Sequence, residues 1–581
     1  MTEVADDQNT IPAWPATSAD GAARAVAVQM LNARGRTPAS LVTYHPANSL
    51  LVVIDDRSEA EEVLPLLPTD ALRVTLLVAD PDKRRVELAG LEGFELVHAG
   101  IVDFEGHLGN FVVRVAEDGE SRNLARLAGR QREEFDLVLD LGGRPQIDAV
   151  IPPVGYYAPG SEEELGRVLE ELPGMVGEFD KPSYVHYNPD ICAHGSSGIT
   201  GCTRCLDACP TSSIRSLVEK VEVDPFLCQG GGICATVCPT GAMTYQYPRV
   251  SDLLENLRRS LRRYHDEGGR GPWLLILDDA RGREIAAEAA HSLPENVIPL
   301  YVEEVGSLGL ESWLAALCYG AHGVSVACTD SPMSEQLRGE IEHQVRIANT
   351  LLGALGLPVD RIRVLDVSSA ADWWCELPSA ATEPVVPPTG FAAMEEKRTN
   401  LRLALDHLYE NAPLSPEKVD LPPGSPFGEV RVDRDKCTLC MACVSVCPAS
   451  ALHDGDDLPM LRFIEANCVQ CGICRSACPE GAIGLRALYT FDSETRSRMR
   501  TLNEEKPFLC VRCNKPFTTE KMMQTIRGKL AGHWMFQDES QKRRLEMCED
   551  CRVEDMFAGG GGLDPYDKPN DKPLDSGSQK R

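Results

Sequence analysis

No run of apolar residues in this 581-residue chain reaches the ~18 needed to cross a bilayer as a helix. Cationic side chains are also scarce: 58 Lys and Arg stand against 88 Asp and Glu, for a formal net charge of −30. That deficit leaves no basic face for phosphates, which argues against nucleic acid as a main partner and against an anionic membrane surface. The opening residues, MTEVADDQNT, are acidic and lack the apolar stretch of a secretory leader, so a cytoplasmic location is expected. No GxGxxG follows a strand, no Walker loop is present, and no nucleophile stands near a base in a catalytic motif. Independent catalysis is therefore not expected, although a flavin held without such a motif stays open. What the chain does have is 22 cysteines, and 43% hydrophobic residues with which to bury cores. In a reducing compartment so many thiols do not form a disulfide framework. They are expected to bind metal.

Nineteen of the cysteines fall into three groups, outside which stand Cys318, Cys328 and Cys375. The most regular group reads Cys437-x2-Cys440-x2-Cys443-x3-Cys447-Pro, then Cys468-x2-Cys471-x2-Cys474-x3-Cys478-Pro. Each half resembles the bacterial ferredoxin run, in which three cysteines hold one cubane and the fourth reaches across to the other. The crossover assigns Cys437, Cys440, Cys443 and Cys478 to one [4Fe-4S] cluster, and Cys468, Cys471, Cys474 and Cys447 to a second. A pair of zinc knuckles would not need eight cysteines at this spacing, each set closed by Cys-Pro.

An earlier stretch repeats the pattern with two irregularities. In Ile199-x2-Cys202-x2-Cys205-x3-Cys209-Pro an isoleucine holds the first-cysteine position, and Cys192 lies seven residues upstream across a Gly/Ser segment. Such a loop can fold back to supply the missing thiolate, with His194 as the alternative ligand. In Cys228-x2-Gly231-x2-Cys234-x3-Cys238-Pro a glycine holds the central-cysteine position. The same crossover gives Cys192, Cys202, Cys205 and Cys238 a [4Fe-4S] cluster. It leaves Cys209, Cys228 and Cys234 a cluster with three thiolates, read as [3Fe-4S] or as a labile [4Fe-4S].

The third group, Cys510-x2-Cys513 and Cys548-x2-Cys551, suits a tetrahedral zinc ion, each pair closing one edge of the tetrahedron. A fifth iron–sulfur cluster or a single iron is the alternative. His533, between the pairs, is not needed as a ligand.

The expected fold class is multidomain α/β plus α+β. Residues 1–40 read as a disordered arm and 41–180 as an α/β domain with strands Leu50–Ile54, Val74–Val78, Phe111–Val115 and Phe135–Leu141 and a helix over Leu124–Glu134. Residues 181–250 form the irregular ferredoxin-like module. Residues 251–375 form a second α/β domain whose strands Trp273–Leu277, Ile298–Val302, Gly323–Val326 and Ile362–Asp366 alternate with helices, which favours a parallel sheet. Cys318 and Cys375 read as small buried apolar residues, and Trp373-Trp374 as packing. A Pro-rich linker with one helix around Glu395–Tyr409 spans 376–428. The regular ferredoxin module covers 429–490, the CxxC/CxxC module, knuckle-like, covers 491–556, and a disordered tail covers 557–581.

Two resemblances add expectations. The run Ala-Leu-Cys318-Tyr-Gly320-Ala-His-Gly323-Val-Ser-Val-Ala-Cys328, followed by a long helix and Gly356-Leu-Pro-Val-Asp-Arg361, resembles the delta-subunit domain of methyl-viologen-reducing hydrogenases. That family relays electrons between a hydrogenase and heterodisulfide reductase using extra cysteines, of which only Cys328 has a counterpart here. Over Cys192–Met243 and Cys437–Ile483 the chain resembles proteobacterial multi-cluster 4Fe-4S binding proteins of polyferredoxin type. The resemblance implies single-electron transfer through about four clusters, as carrier or subunit of a cytoplasmic oxidoreductase. Partners would be dehydrogenase or hydrogenase-like subunits. The competing expectation is a non-redox accessory or maturation factor for a metalloenzyme such as a formate dehydrogenase.

Overall fold

The computed structural model describes residues 14–32, 40–55, 63–80, 82, 87–91, 94–147, 149–368, 372–378, 384–455, 458–533 and 538–558. Among them no helix is long and apolar enough to cross a membrane.

The N-terminal sheet runs, in spatial order, Tyr156–Tyr157, Leu137–Asp140, Ser49–Ile54, Arg73–Ala79, Phe94–Ala99 and Glu87–Leu91. It is parallel except at the last pair. Alternation along SLLVVI sends Leu50, Val52 and Ile54 to one face, where Leu165, Val168 and Leu169 of helix Glu162–Glu171 pack, and Leu51 and Val53 to the other. That second face is covered by Phe111, Val113 and Val115 of a three-stranded antiparallel sheet. The helix expected over Leu124–Glu134 is one turn, Leu124–Leu127, capped by the Asn123 side chain and stopped at Gly129, whose φ of 70° is left-handed.

The middle domain holds a four-stranded, wholly parallel sheet ordered Val297–Val302, Trp273–Asp278, Gly323–Cys328, Ile362–Asp366. Two neighbouring segments depart from expectation here. Within the supposed arm, Ala19–Asn32 is a helix that buries Ala23, Ala27, Val28 and Leu31 against Leu257, Leu261 and Tyr264 of helix Val250–Asp266. Its start is held by Glu295, whose carboxylate accepts from the Thr17 and Ser18 N–H groups at 2.8 Å each. An alanine-rich stripe is too small to stand out in the sequence, but it permits close helix packing. Residues 1–13, 33–39 and 559–581 lie outside the described residues; of the expected tail, 557–558 instead close the helix Glu549–Ala558. The supposed linker is equally built in. Leu401, Ala404, Leu405 and Leu408 of helix Lys397–Glu410 join the same core, as do Tyr489 of the regular module, Phe427 and Phe491 at its two borders, and Ile233 and Val237 of the irregular module. The middle domain is thus the hub on which both cysteine modules are seated.

Cys318 is fully buried, its thiol 3.5 Å from the Ala404 carbonyl. Cys375 is exposed, contrary to expectation, because the 3-10 turn Trp373–Glu376 spends its inward position on Trp373.

Candidate metal centres

Each cysteine loop is shaped by left-handed residues at fixed offsets. Two residues after the first cysteine stand Leu439, Gln470 and Gly230, with φ of 54°, 53° and 82°. Four residues after it stand Met441, Gly472 and Gly232, at 60°, 85° and 72°. Three residues after each Cys-Pro cysteine stand Ser212, Gly241, Ser450 and Gly481, at 51°, 81°, 47° and 59°. Left-handed residues in such turns make backbone N–H groups converge into a concavity that suits an anionic cluster. The Cys228 loop keeps this path in full although its middle cysteine is Gly231.

The loop of Cys192 is built otherwise. Gly195–Ser196 and Ile199–Thr200 pair as a hairpin whose turn residues, Ser197 and Gly198, are both left-handed. This hairpin turns the chain back so that the charge of Cys192 is felt at Cys205. His194 is only 2% exposed and uses both ring nitrogens: Nδ1 lies 2.8 Å from the Cys202 carbonyl and Nε2 2.7 Å from Ser216 Oγ. Neither nitrogen is left for a metal.

Thiol proximities divide the ferredoxin cysteines into four sets. Burial pushes the Cys205 thiol up to about 12, and Cys238, Cys202 and Cys192 around it add to the rise. Burial pushes Cys443 up to about 12 as well, with Cys437, Cys440 and Cys478 beside it. Cys474 is raised by burial, then by Cys471, Cys468 and Cys447. Cys234 is raised by burial, then by Cys228 and Cys209, and after them by Cys205 and Cys238 of the neighbouring set. Buried thiols crowded in this way resist ionising together, and cations within the ring of sulfurs remove that resistance. Cys437, Cys440, Cys443 and Cys478 line one small cavity, walled otherwise by residues such as Leu461 and Ile483, and Cys447, Cys468, Cys471 and Cys474 line a second, walled by residues such as Val430 and Leu485. Soft thiolates around an apolar space fit an iron–sulfur cluster. Donors reach several sulfurs: the Ala451 N–H to Cys447 and the Ala482 N–H to Cys478, both at 3.3 Å, and Gln470 Nε2 to Cys468 at 3.2 Å. Ser213 and Thr211 hydroxyls lie 3.3 and 3.4 Å from Cys209 Sγ. Such bonds favour the more negative, reduced state of a cluster.

The two modules meet beside their inner cysteines, where Gly201 packs on Ile473. A Cβ on Gly201 would lie 3.0 Å from Ile473 Cβ, so glycine permits the contact. Cys202, raised by burial to about 11, also feels the charge of Cys471 in the other module. Helix Lys397–Glu410 ties the modules together with cations that sequence reading did not single out. Arg398 donates to the carbonyls of Pro239 and Ala466, both at 3.1 Å, Pro426 at 3.3 Å and Cys468 at 3.4 Å. Lys397 donates to Ala235 and Thr236, and Arg402 to Ala466. In the sequence these were only the basic start of an amphipathic helix.

In the C-terminal module the thiols of Cys510, Cys513, Cys548 and Cys551 all lie within 4.8 Å of one another. The Cys513–Cys548 sulfurs are 3.7 Å apart, close to the ~3.8 Å edge of a tetrahedron with ~2.3 Å metal–sulfur bonds. Among the described residues, the ferredoxin cysteines form no group this tight. The spacing is that of one ion. Burial raises the Cys510 thiol, but backbone N–H groups of Cys513, Cys548 and Arg512 outweigh it and bring the thiol down to about 6. His533 is exposed and stands outside the set.

Comparison with known proteins agrees with the two cysteine modules. No curated protein matches the chain. Residues 436–483 match a 4Fe-4S dicluster domain family, and residues 200–242 match a second family of the same description. The chain therefore carries two 4Fe-4S dicluster domains of ferredoxin type, the mark of an iron–sulfur electron-transfer protein.

Proposed function

We propose that the chain carries single electrons along a row of four clusters, as a carrier or as the electron-transfer subunit of an oxidoreductase. The row would run from the Cys209/Cys228/Cys234 site to Cys192/Cys202/Cys205/Cys238, then to Cys447/Cys468/Cys471/Cys474 and finally to Cys437/Cys440/Cys443/Cys478. The observation that carries this reading is the packing of Gly201, next to Cys202, onto Ile473, two residues from Cys471, across the module boundary. A cluster role confined to folding would not require the inner cysteine loops of separate modules to pack together. When bound, the clusters supply one-electron chemistry at potentials set by charge, exposure and hydrogen bonds to sulfur. The chain's own residues fix cluster order, exclude water and place Arg398, Lys397 and Arg402 between the modules. The Cys510/Cys513/Cys548/Cys551 site is read as structural zinc, holding together a knuckle with a small core. The middle domain's resemblance to a hydrogenase delta domain suggests dehydrogenase or hydrogenase-like subunits as partners, in the cytoplasm.

The test is an EPR-monitored redox titration of anaerobically purified full-length protein. Reversible reduction is expected, with spin coupling between the two inner clusters once both are reduced. Clusters that cannot be cycled reversibly would instead favour the accessory-factor reading. Reversible reduction without coupling would refute the continuous row.

A further inference from the structure

Gly231 stands where the regular module has Cys471, yet its loop retains the left-handed residues of a cluster loop at Gly230 and Gly232. The middle domain explains both the glycine and what replaces the thiol. Its turn Val305–Ser307 is pressed onto the loop. A Cβ on Gly232 would lie 2.5 Å from Ser307 Cα, and a Cβ on Gly306 would lie 2.5 Å from the Gly231 carbonyl oxygen. The Thr236 hydroxyl donates to the Gly306 carbonyl at 2.6 Å and fastens the contact. Into the space beside Gly231 come two side chains of helix Pro332–Ala354, Leu337, whose Cδ1 lies 3.9 Å from a Cβ placed at 231, and, nearer, Met333. Met333 Sδ lies 3.0 Å from where a Cβ at 231 would be, nearer than its own methyl carbon at 3.6 Å. Met333 is 8% exposed, so its sulfur is held away from bulk water.

We infer that the Met333 thioether is the fourth protein ligand of the Cys209/Cys228/Cys234 site, supplied by the middle domain in place of the missing cysteine and making that site a four-iron one. The inference rests on the reading of those three cysteines as cluster ligands. A thioether is a soft donor that gives both electrons of the metal–sulfur bond and releases no proton. The cluster would carry one negative charge fewer than its four-thiolate neighbours, which favours its reduced state. It would also pin the irregular module to the hub.

The experiment compares wild-type protein with Met333→Leu, Met333→Cys and Gly231→Cys, each purified anaerobically and reconstituted with ferrous iron and sulfide. Iron content, the oxidised-state EPR spectrum and midpoint potentials are the readouts. Met333→Leu, which keeps the apolar volume, should lose about one iron per chain and gain a three-iron signal. Met333→Cys and Gly231→Cys should keep the iron and lower the potential of this site alone. In Gly231→Cys the flexible end of Met333 can move aside. A Met333→Leu protein matching wild type in iron, spectrum and potential overturns the inference. A three-iron signal in fully reconstituted wild type also overturns it, while leaving the four-cluster row intact. Wild type with no cluster at Cys209, Cys228 and Cys234 overturns the inference together with the reading beneath it.

Discussion

Replacing Arg398 with methionine keeps much of the apolar stem and removes the guanidinium between the two dicluster domains. Two of its hydrogen bonds, to Pro239 and Ala466, are 3.1 Å long, and two, to Pro426 and Cys468, are at the long end of the range. A hydrogen bond to a charged group contributes about 1.5–3 kcal/mol, so the two shorter ones are together worth roughly 3–6 kcal/mol. Against this stands the cost of holding the guanidinium away from water. Burial lowers its pKa from 12.5 to about 10, a penalty of about 3 kcal/mol that the substitution relieves. The carbonyls left facing a thioether cost about 1–3 kcal/mol each if water cannot reach them. The net expectation is a loss of roughly 0–3 kcal/mol from the contact between the modules, and more for each carbonyl that water cannot reach. The redox effect follows from charge. The guanidinium bonds the carbonyl of Cys468 itself, and at an effective dielectric near 20 two unit charges ~8 Å apart interact by about 2 kcal/mol, or on the order of 90 mV for one electron. Arg398→Met should therefore lower the potential of the Cys468-containing cluster by that order, with smaller shifts elsewhere. Arg398→Lys should restore most of the potential but little of the stability, because an ammonium cannot span four carbonyls. Anaerobic calorimetry and EPR redox titration read the two effects separately. If Arg398→Met leaves both the melting profile and the potentials unchanged, the helix Lys397–Glu410 neither clamps nor tunes the modules.

Glu304, beside the turn that docks on Gly231, has a carboxylate oxygen with no hydrogen-bond partner and is raised by burial, then by Asp278 and Glu303, to about 8. In the folded state it holds its proton to higher pH than in the unfolded chain, so stability falls as pH rises from about 4.5 to about 8. Glu304→Gln should flatten that slope and stabilise the protein by up to roughly 4 kcal/mol at pH 8, as followed by denaturation at several pH values; an unchanged slope would refute the assignment. Cys192→Ser should cost the chain one cluster, whereas His194→Gln should leave iron content unchanged, since the ring is engaged with Cys202 and Ser216; loss of iron in His194→Gln would reverse the ligand choice. Cys513→Ser should release one zinc ion and expose the segment Glu520–Ala558 to protease with both dicluster domains intact, as checked by metal analysis and limited proteolysis.

Cysteine spacing and Cys-Pro punctuation were enough to place two dicluster domains, because a metal cluster dictates its ligands locally, within loops of a few residues. Strand runs such as Leu50–Ile54 and Trp273–Leu277 were equally legible, since fully buried parallel strands demand continuous apolar residues. Other features depended on contacts far apart in the chain. The alanine stripe of Ala19–Asn32 has meaning only against Leu257 and Leu261, and the linker helix becomes a clamp only where Arg398 meets Pro239 and Ala466. Nothing local distinguishes His194 from a candidate ligand until its two hydrogen-bond partners are in place. The sequence by itself thus determined which residues gather at the sites, and marked Gly231 as the irregular one. Only the tertiary structure packs Gly201, beside Cys202, onto Ile473, near Cys471, and sets Met333 of another domain beside Gly231. Long-range packing makes such juxtapositions, and no spacing rule within one segment encodes them.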